Sequence, residues 1–424
     1  DILLTLPPHF ACFLNKHIKD FPSITAVYSD PEDHKLGSGG GTVNVLWKHG
    51  LAPAHLSARP PVGSAPPRRI IIHSDGQSRR LPAYATVGKS FIPFPVFKWS
   101  RGQRIDQTLF DVQLTLLEKM LSQAPEGQNT LVVSGDSLVR TDALRFNIPR
   151  ADVVCVGVWA QPETASKHGV FVVPRHDPTR LQYMLQKPSI DDLQALAGNA
   201  MYLLDAGIWM LSDRAIAFLF KETGWGFNKK DFKNGLPGLY DLYSDFGKKL
   251  GEAPGKEQSL SVRILPLDQA EFYHFGSNAD LLRSTRLLHD RVLDQREIWH
   301  KKIKPSPEIF VQNASTGVTF NTGNASIWIE NACIPAGWSL HDHHILTGIP
   351  ENDWNLNLPA GACLDFIPVG SRKWCIRPYG FHDAFRGKAD GSQATWLNQP
   401  VMAWFESRGF SPKETAALAD TDIY

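Results

Sequence analysis

Short, continuous apolar runs alternate with amphipathic helical segments over the first 300 residues, and this alternation narrows the possible folds most. The runs are RRIIIHS (68–74), TLVVSGD (130–136) and ADVVCVGVWA (151–160). Between the first two, DQTLFDVQLTLLEKMLSQA (106–124) places Leu109, Val112, Leu116 and Met120 at spacings of three and four, which predicts an amphipathic helix. MYLLDAGIWML followed by SDRAIAFLF (201–220) repeats the strand–helix order, with Ser212 as the N-cap. Continuous apolar strands alternating with helices predict an α/β domain whose mostly parallel sheet is covered on both faces. Ligands of such sheets bind beyond the carboxyl ends of the strands, where SGD and the residues after IIIHS fall.

After about residue 305 the helical period disappears. VQNASTGVTF, NASIWIENACIPAGWSLHDHHILTGIP and LPAGACLDFIPVG are short β-like runs broken by Asn, Gly and Pro. Their apolar residues recur at loose intervals near six, as in a β-helix of short rungs; a β-sandwich is the alternative. A chain of 424 residues is expected to hold more than one core. The expected division is a catalytic domain over 1–276, a connecting helix over 277–304 and a β-helix-like domain over 305–424. Residues 50–67, with five prolines, read as a mobile loop or linker. Forty-four basic and 43 acidic residues give a net charge of +1, which argues against nucleic acid and the membrane surface as partners. No apolar run is long enough to span a membrane, and DILLTLPPHF has no basic n-region of a signal peptide. Five cysteines without a CxxC pair fit a reducing cytoplasm.

Two glycine-containing loops suggest phosphate binding. LGSGGGT (36–42) concentrates Gly37, Gly39, Gly40 and Gly41 ahead of an apolar run, where free N–H groups at a helix start favour an anion. HSDGQSRRLPAYATVGK (73–89) joins Gly76 to Arg79, Arg80 and Lys89, enough charge to neutralise a triphosphate; a basic surface loop is the plain alternative. Neither loop matches GxxxxGK[ST] or a well-placed GxGxxG, which weakens kinase and dinucleotide readings. Asp136 ends its strand where a carboxylate can hold Mg²⁺ beside substrate phosphates, although a strand-end Asp is more often a turn residue. Lys187 precedes a proline in LQKPS, Asp241 and Asp245 lie four apart in DLYSDF, and His274 stands in EFYHFGS. HDHH (341–344) lacks a second cluster of metal ligands, and no GxSxG elbow is present.

In their order, LGSGGGT, HSDGQSRRLP, SGD, HGVF, QKPS, DAGIW, DLYSDFG and EFYHFGS resemble the fucose-1-phosphate guanylyltransferases, over nearly the whole chain. The match is strongest to the amino-terminal half of the bacterial bifunctional fucokinase/guanylyltransferases. The resemblance implies a Rossmann-like nucleotidyltransferase domain followed by a β-rich domain, a left-handed β-helix in the broader sugar nucleotidyltransferases. It implies the reaction of GTP with β-L-fucose 1-phosphate to give GDP-L-fucose and pyrophosphate, with Mg²⁺ as cofactor. Gly37, Ser38, Gly39, Gly40, Gly41 and Thr42 would wrap the nucleotide. Gly76, Gln77, Arg79 and Arg80 would hold its β- and γ-phosphates. Lys89 would sit at the α-phosphate and Lys187 at the phosphate of the sugar. His168, Gly169, Asp205, Gly207, Tyr243 and Asp245 would line the sugar. Asp136 and His274 would serve the metal, with Asp245 the alternative to His274, since histidine prefers ions softer than Mg²⁺. The resemblance also implies a C-terminal fucokinase in the full-length protein, unless this is a monofunctional version. Open alternatives are a pyrophosphorylase for another sugar phosphate and nucleotide, a silent nucleotide-sugar sensor, and a β-helix acyltransferase.

Overall fold

The computed structural model describes residues 1–31, 34–53, 67–95, 106–196, 198–256, 259–291, 308–371 and 373–423. Most of the expected linker at 50–67 lies outside them. The chain divides into two compact units. The first comprises Asp1–Gly76, Thr86–Ser90 and Phe110–Tyr273; the second comprises Gln77–Ala85, Phe91–Leu109 and His274–Tyr424.

The first unit is built on a nine-stranded sheet. Its main path runs Val262–Leu267, Val153–Val158, Ala200–Ser212, Gln128–Ser134, Arg69–His73, Ile2–Thr5, Ala26–Tyr28. The last four of these are parallel to one another, as is the pair 262–267 with 153–158. The expected mostly parallel sheet is nonetheless mixed, because Ala200–Ser212 runs antiparallel to both 128–134 and 153–158. The cause is local. Gly169–Pro174 and Tyr183–Gln186 form an antiparallel hairpin, and the first half of the 200–212 strand pairs antiparallel with 169–174. That partner sets its direction before its second half enters the sheet. An apolar run carries no signal of strand direction.

The amphipathic helix expected at 106–124 spans Leu109–Ser122. Asp213–Glu222 follows its strand as expected, with Ser212 Oγ accepting from the Ala215 N–H at 3.2 Å. Trp209, Phe171, Phe220 and Phe246 are buried at 1% exposure or less, and they anchor the core between sheet and helices.

The glycines of LGSGGGT do not precede a helix; they form its first turns, Gly37–Lys48. Two of the amides that a helix start leaves unpaired are taken by one carbonyl. Gly39 and Gly40 N–H donate to Tyr240 O at 2.8 and 2.9 Å. The glycines are required for close approach: a Cβ on Gly39 would lie 2.9 Å from Tyr240 O, and one on Gly40 2.6 Å from Gly238 O. Gly→Ala inside a helix ordinarily stabilises by up to about 1 kcal/mol. Gly40→Ala is expected to do the reverse, because forcing a backbone carbonyl aside costs on the order of 1–3 kcal/mol. Urea unfolding should show a lower midpoint; an unchanged or raised midpoint would contradict the packing argument.

In the second unit, Asn278–His289 is a helix capped by Ser277, within the segment expected as a connecting helix; residues 292–307 lie outside the described residues. The β-rich part stacks Ile309–Gln312, Ile327–Glu330, His344–Thr347 and Ala362–Pro368 in parallel. Partners are 17 or 18 residues apart, as in Ile309 with Ile327, Ile327 with His344 and Leu346 with Leu364. A second row pairs Ser315 with Cys333, and a parallel bridge joins Ser339 to Asn357. Trp374–Gly380 adds antiparallel to 362–368. Ile327, Ile329, Ile334, Leu346 and Phe366 form the interior. His344 of HDHH belongs to this interior too. Its ring is buried, with Nδ1 on Ala362 O at 2.7 Å and Nε2 accepting from His341 N–H at 3.0 Å.

Candidate active site

The first unit holds most of the expected site residues, on strands, turns and a helix start. After Gln128–Ser134 the chain turns at Gly135, whose N–H donates to His73 O at 2.8 Å. Only glycine fits there, since a Cβ would lie 2.3 Å from Ser90 Oγ. Ser90 is fully buried and bonded to Ser74 Oγ through its N–H at 2.9 Å. These contacts fix Lys89 against the turn, and its Nζ donates to Asp136 Oδ2 at 3.0 Å. Asp136 Oδ1 accepts from Ser134 Oγ at 2.7 Å.

Gly207 stands beside this turn: a Cβ there would lie 2.9 Å from Ser134 Cβ, and its φ is +69°. Its N–H and the Trp209 indole N–H both donate to Asp205 Oδ1, at 2.9 and 3.0 Å. Burial nevertheless pushes the Asp205 carboxyl up to about 7, because the two donors only partly offset the loss of solvent. Gly169 is the next neighbour, with a built Cβ 3.3 Å from Asp205 Cβ and 3.0 Å from Gln186 Nε2. Lys187 N–H donates to His168 O at 3.0 Å, closing the hairpin end. Gln186 Nε2 donates to Tyr243 O at 3.2 Å, and the Tyr243 ring meets Trp209 edge-on at 5.8 Å. Asp136, Lys89, Gly207, Asp205, Gly169, His168, Lys187 and Tyr243 thus lie in succession as neighbours.

DLYSDF is not an α-helical pair of carboxylates. Leu242–Phe246 is a π-helical turn, and Asp241 is its N-cap, with Oδ1 accepting from Tyr243 and Ser244 N–H. Asp245 Oδ2 accepts from Asp241 N–H at 2.8 Å, while Ser38 Oγ donates to Asp241 Oδ2 at 2.9 Å. The glycine-rich helix start is thereby tied to the turn carrying Tyr243. Its buried Thr42 shares a bond of 2.8 Å with His73 Nε2, whose Nδ1 reaches Thr5 Oγ1 at 3.1 Å. Burial lowers the pKa of His73 despite Asp75 and Asp241. Neither His73 nor Gln186 stood out in the sequence. Both follow apolar strand residues, and their role as connectors depends on partners far along the chain.

Gly76 is the last residue of the first unit's opening segment, and Gln77, Arg79, Arg80 and His274 belong to the second unit. His274 Nδ1 pairs with Asp280 Oδ2 at 3.2 Å. Burial acts to raise the Asp280 carboxyl, but His274, Ser277 and Arg80 together hold it below its ordinary value. Among the described residues, no group of three or more His, Cys, Asp or Glu side chains could hold a metal by itself. A single carboxylate does suit Mg²⁺, which takes one or two carboxylates and completes its shell with phosphate oxygens and water. Asp136 offers that donor type, whereas His274 offers nitrogen and engages Asp280.

Residues 68–253 match the model of the "Fucose pyrophosphorylase domain". The chain is 44% identical over 398 residues to an L-fucokinase/L-fucose-1-P guanylyltransferase of Bacteroides fragilis, covering 92% of this chain and 41% of that protein. It is 28% identical over 220 residues to a bifunctional fucokinase/GDP-fucose pyrophosphorylase of Arabidopsis thaliana, covering 46% of this chain and 20% of that one. The chain therefore spans well under half the length of these curated relatives. Among solved structures, HddC from Yersinia pseudotuberculosis in complex with GMP-PN is 12% identical at a TM-score of 0.32, covering 68% of this chain and 77% of that one. Residues 68–253 thus match the fucose pyrophosphorylase domain, and the chain resembles the fucose-1-phosphate guanylyltransferases along nearly its whole length.

Proposed function

We propose that this chain transfers a guanylyl group from GTP to β-L-fucose 1-phosphate, releasing pyrophosphate. The observation that carries the reading is the succession of neighbouring residues from the Lys89–Asp136 pair through Ser134, Gly207, Asp205 and Gly169 to the hairpin end that bears Lys187. It gives one end suited to a nucleotide phosphate and another suited to a sugar phosphate. The names of the relatives supply the substrates.

An oxygen of the sugar phosphate attacks the α-phosphorus of GTP in line, its bond to that phosphorus forms, and the bond to the bridging oxygen of the β-phosphoryl group breaks. Lys187 would hold the attacking phosphate, and Lys89 would leave Asp136 to meet the charge growing on the α-phosphoryl oxygens. Arg79 and Arg80 would take the departing pyrophosphate, helped by Gly76 and Gln77. Catalysis is then positioning and charge neutralisation, with no covalent enzyme intermediate. Asp136 would hold Mg²⁺, which when bound neutralises phosphate charge. Asp205, with His168, Tyr243 and Asp245, would face the sugar hydroxyls. Gly37 to Thr42 would serve the base as a packed helix start, and the Gly39 and Gly40 amides stay with Tyr240.

The stacking at 17 or 18 residues supports a left-handed β-helix as the finer description of the second unit. A cytoplasmic location is part of the same reading, supported by five free cysteines. No helix among the described residues is long and apolar enough to cross a membrane. Where a fucokinase accompanies this chain, as the relatives' names have it, that activity would supply the sugar phosphate.

The test is pyrophosphate release with a panel of sugar 1-phosphates (fucose, mannose, glucose, galactose) against GTP, ATP and UTP. Release confined to fucose 1-phosphate with GTP is expected. Release with a different pair would replace the substrates, and release with none would remove the enzymatic reading.

A further inference from the structure

The arginine-bearing segment that follows the central 69–73 strand folds with the β-rich unit and not with that strand. Bonds at alternate residues of Gln77–Ala85 tie it there. Asn278 N–H donates to Arg80 O at 2.8 Å. Arg377 Nη2 donates to Pro82 O at 2.6 Å, and the same guanidinium is ion-paired with Asp365. Tyr84 is 3% exposed, and its hydroxyl donates to Glu330 Oε2, which also accepts from the Trp328 indole N–H at 3.0 Å. Glu330, Asp365 and Arg377 lie on strands 327–330, 362–368 and 374–380.

Stacked rungs are held together by apolar interior residues and backbone ladders, so this unit's own stability does not call for buried carboxylates. Asp365 is 5% exposed, and Glu330 is enclosed by its donors. Buried charges are costly and persist where their partners satisfy them fully. Here the partners include the segment two to four residues beyond Arg80. Bonding the Arg80 and Pro82 carbonyls and the Tyr84 hydroxyl fixes the backbone from which both arginines project.

We infer that the β-rich unit is a positioning device for the Arg79–Arg80 segment, acting through the Tyr84–Glu330 and Arg377–Asp365 pairs. This rests on the reading of those arginines as pyrophosphate ligands. Tyr84, Glu330, Asp365 and Arg377 are positioning residues that touch no substrate themselves.

The experiment is steady-state pyrophosphorolysis of GDP-L-fucose by the full 424-residue chain, with melting midpoints measured in parallel. Tyr84→Phe keeps the ring and removes the hydroxyl. Its KM for pyrophosphate should rise about tenfold, by the rule that a catalytic contact must be held within a fraction of an ångström. Its KM for GDP-L-fucose should stay within about twofold, because the sugar-side contacts lie in the other unit. Glu330→Gln gives the same readout should Tyr84→Phe not fold. Asn324→Ala is the control. Asn324 is buried and donates to Leu340 O and His341 O at 2.9 and 2.8 Å, so its loss should lower the melting midpoint and leave the pyrophosphate KM unchanged. An equal rise in that control would reduce the effect to general destabilisation and overturn the inference. So would an unchanged pyrophosphate KM in Tyr84→Phe while Arg80→Ala raises it. An Arg80→Ala chain with unaltered pyrophosphate kinetics would overturn the underlying assignment instead.

Discussion

Replacing Lys187 with alanine is expected to lower kcat/KM for the sugar phosphate roughly 10²–10³-fold, the range for removing one preorganised charge contact from a transition state. KM for GTP should change by no more than about twofold. The backbone strengthens this expectation. Lys187 has a φ of +47°, unusual for a residue with a side chain and more so before a proline. Such conformations cost of order 1–3 kcal/mol and persist where the surroundings enforce them, often at functional sites. Here the bond from Lys187 N–H to His168 O enforces it. Asparagine tolerates positive φ, so Lys187→Asn should keep the fold and lose as much activity as alanine. Initial rates at varied fucose 1-phosphate read the result. Unchanged turnover in both variants would remove Lys187 from the nucleophile side.

Asp136→Asn should reduce turnover by a comparable factor and also change how activity depends on metal. Asparagine keeps the shape beside Ser134 but removes the charge that pairs with Lys89 at 3.0 Å and would bind Mg²⁺. Chelation with EDTA is expected to abolish the wild-type activity. In the variant, the Mg²⁺ concentration for half-maximal rate should rise about tenfold or more, corresponding to the loss of an anionic ligand. A titration of rate against Mg²⁺ checks both points. A variant with wild-type rate and wild-type metal response would place the ion elsewhere.

The strands at 69–73, 128–134 and 153–158 were legible as short continuous apolar runs, the first two ending in polar residues. The helix at 109–122 was legible from its period. Strand direction was not, since 200–212 takes its sense from the hairpin beside it. The helical state of Gly37–Gly41 was hidden for a similar reason. Four glycines argue against a helix by propensity, and what favours it is the backbone of 238–240, some two hundred residues away. The interval near six in the β-rich part corresponds to three positions per stacked turn of 17 or 18 residues, which only the strand register displays. Within the site, Asp136 could be picked out because it follows a strand end, where α/β sheets bind ligands, whereas Asp205 and Lys187 stood out only through the resemblance carried by DAGIW and QKPS. His73, Gln186 and the Tyr84–Glu330 pair could not. The last joins residues 246 apart, and each looks like an ordinary packing position until its partner is known.

The most direct measurement of the proposed reaction is product stoichiometry. The chain is incubated with GTP, β-L-fucose 1-phosphate and Mg²⁺, and GDP-L-fucose and pyrophosphate are quantified together over time. Equal amounts of both are expected, with no nucleotide consumed when the sugar phosphate is omitted. Folded protein that forms no nucleotide sugar, or releases pyrophosphate without it, would contradict the account.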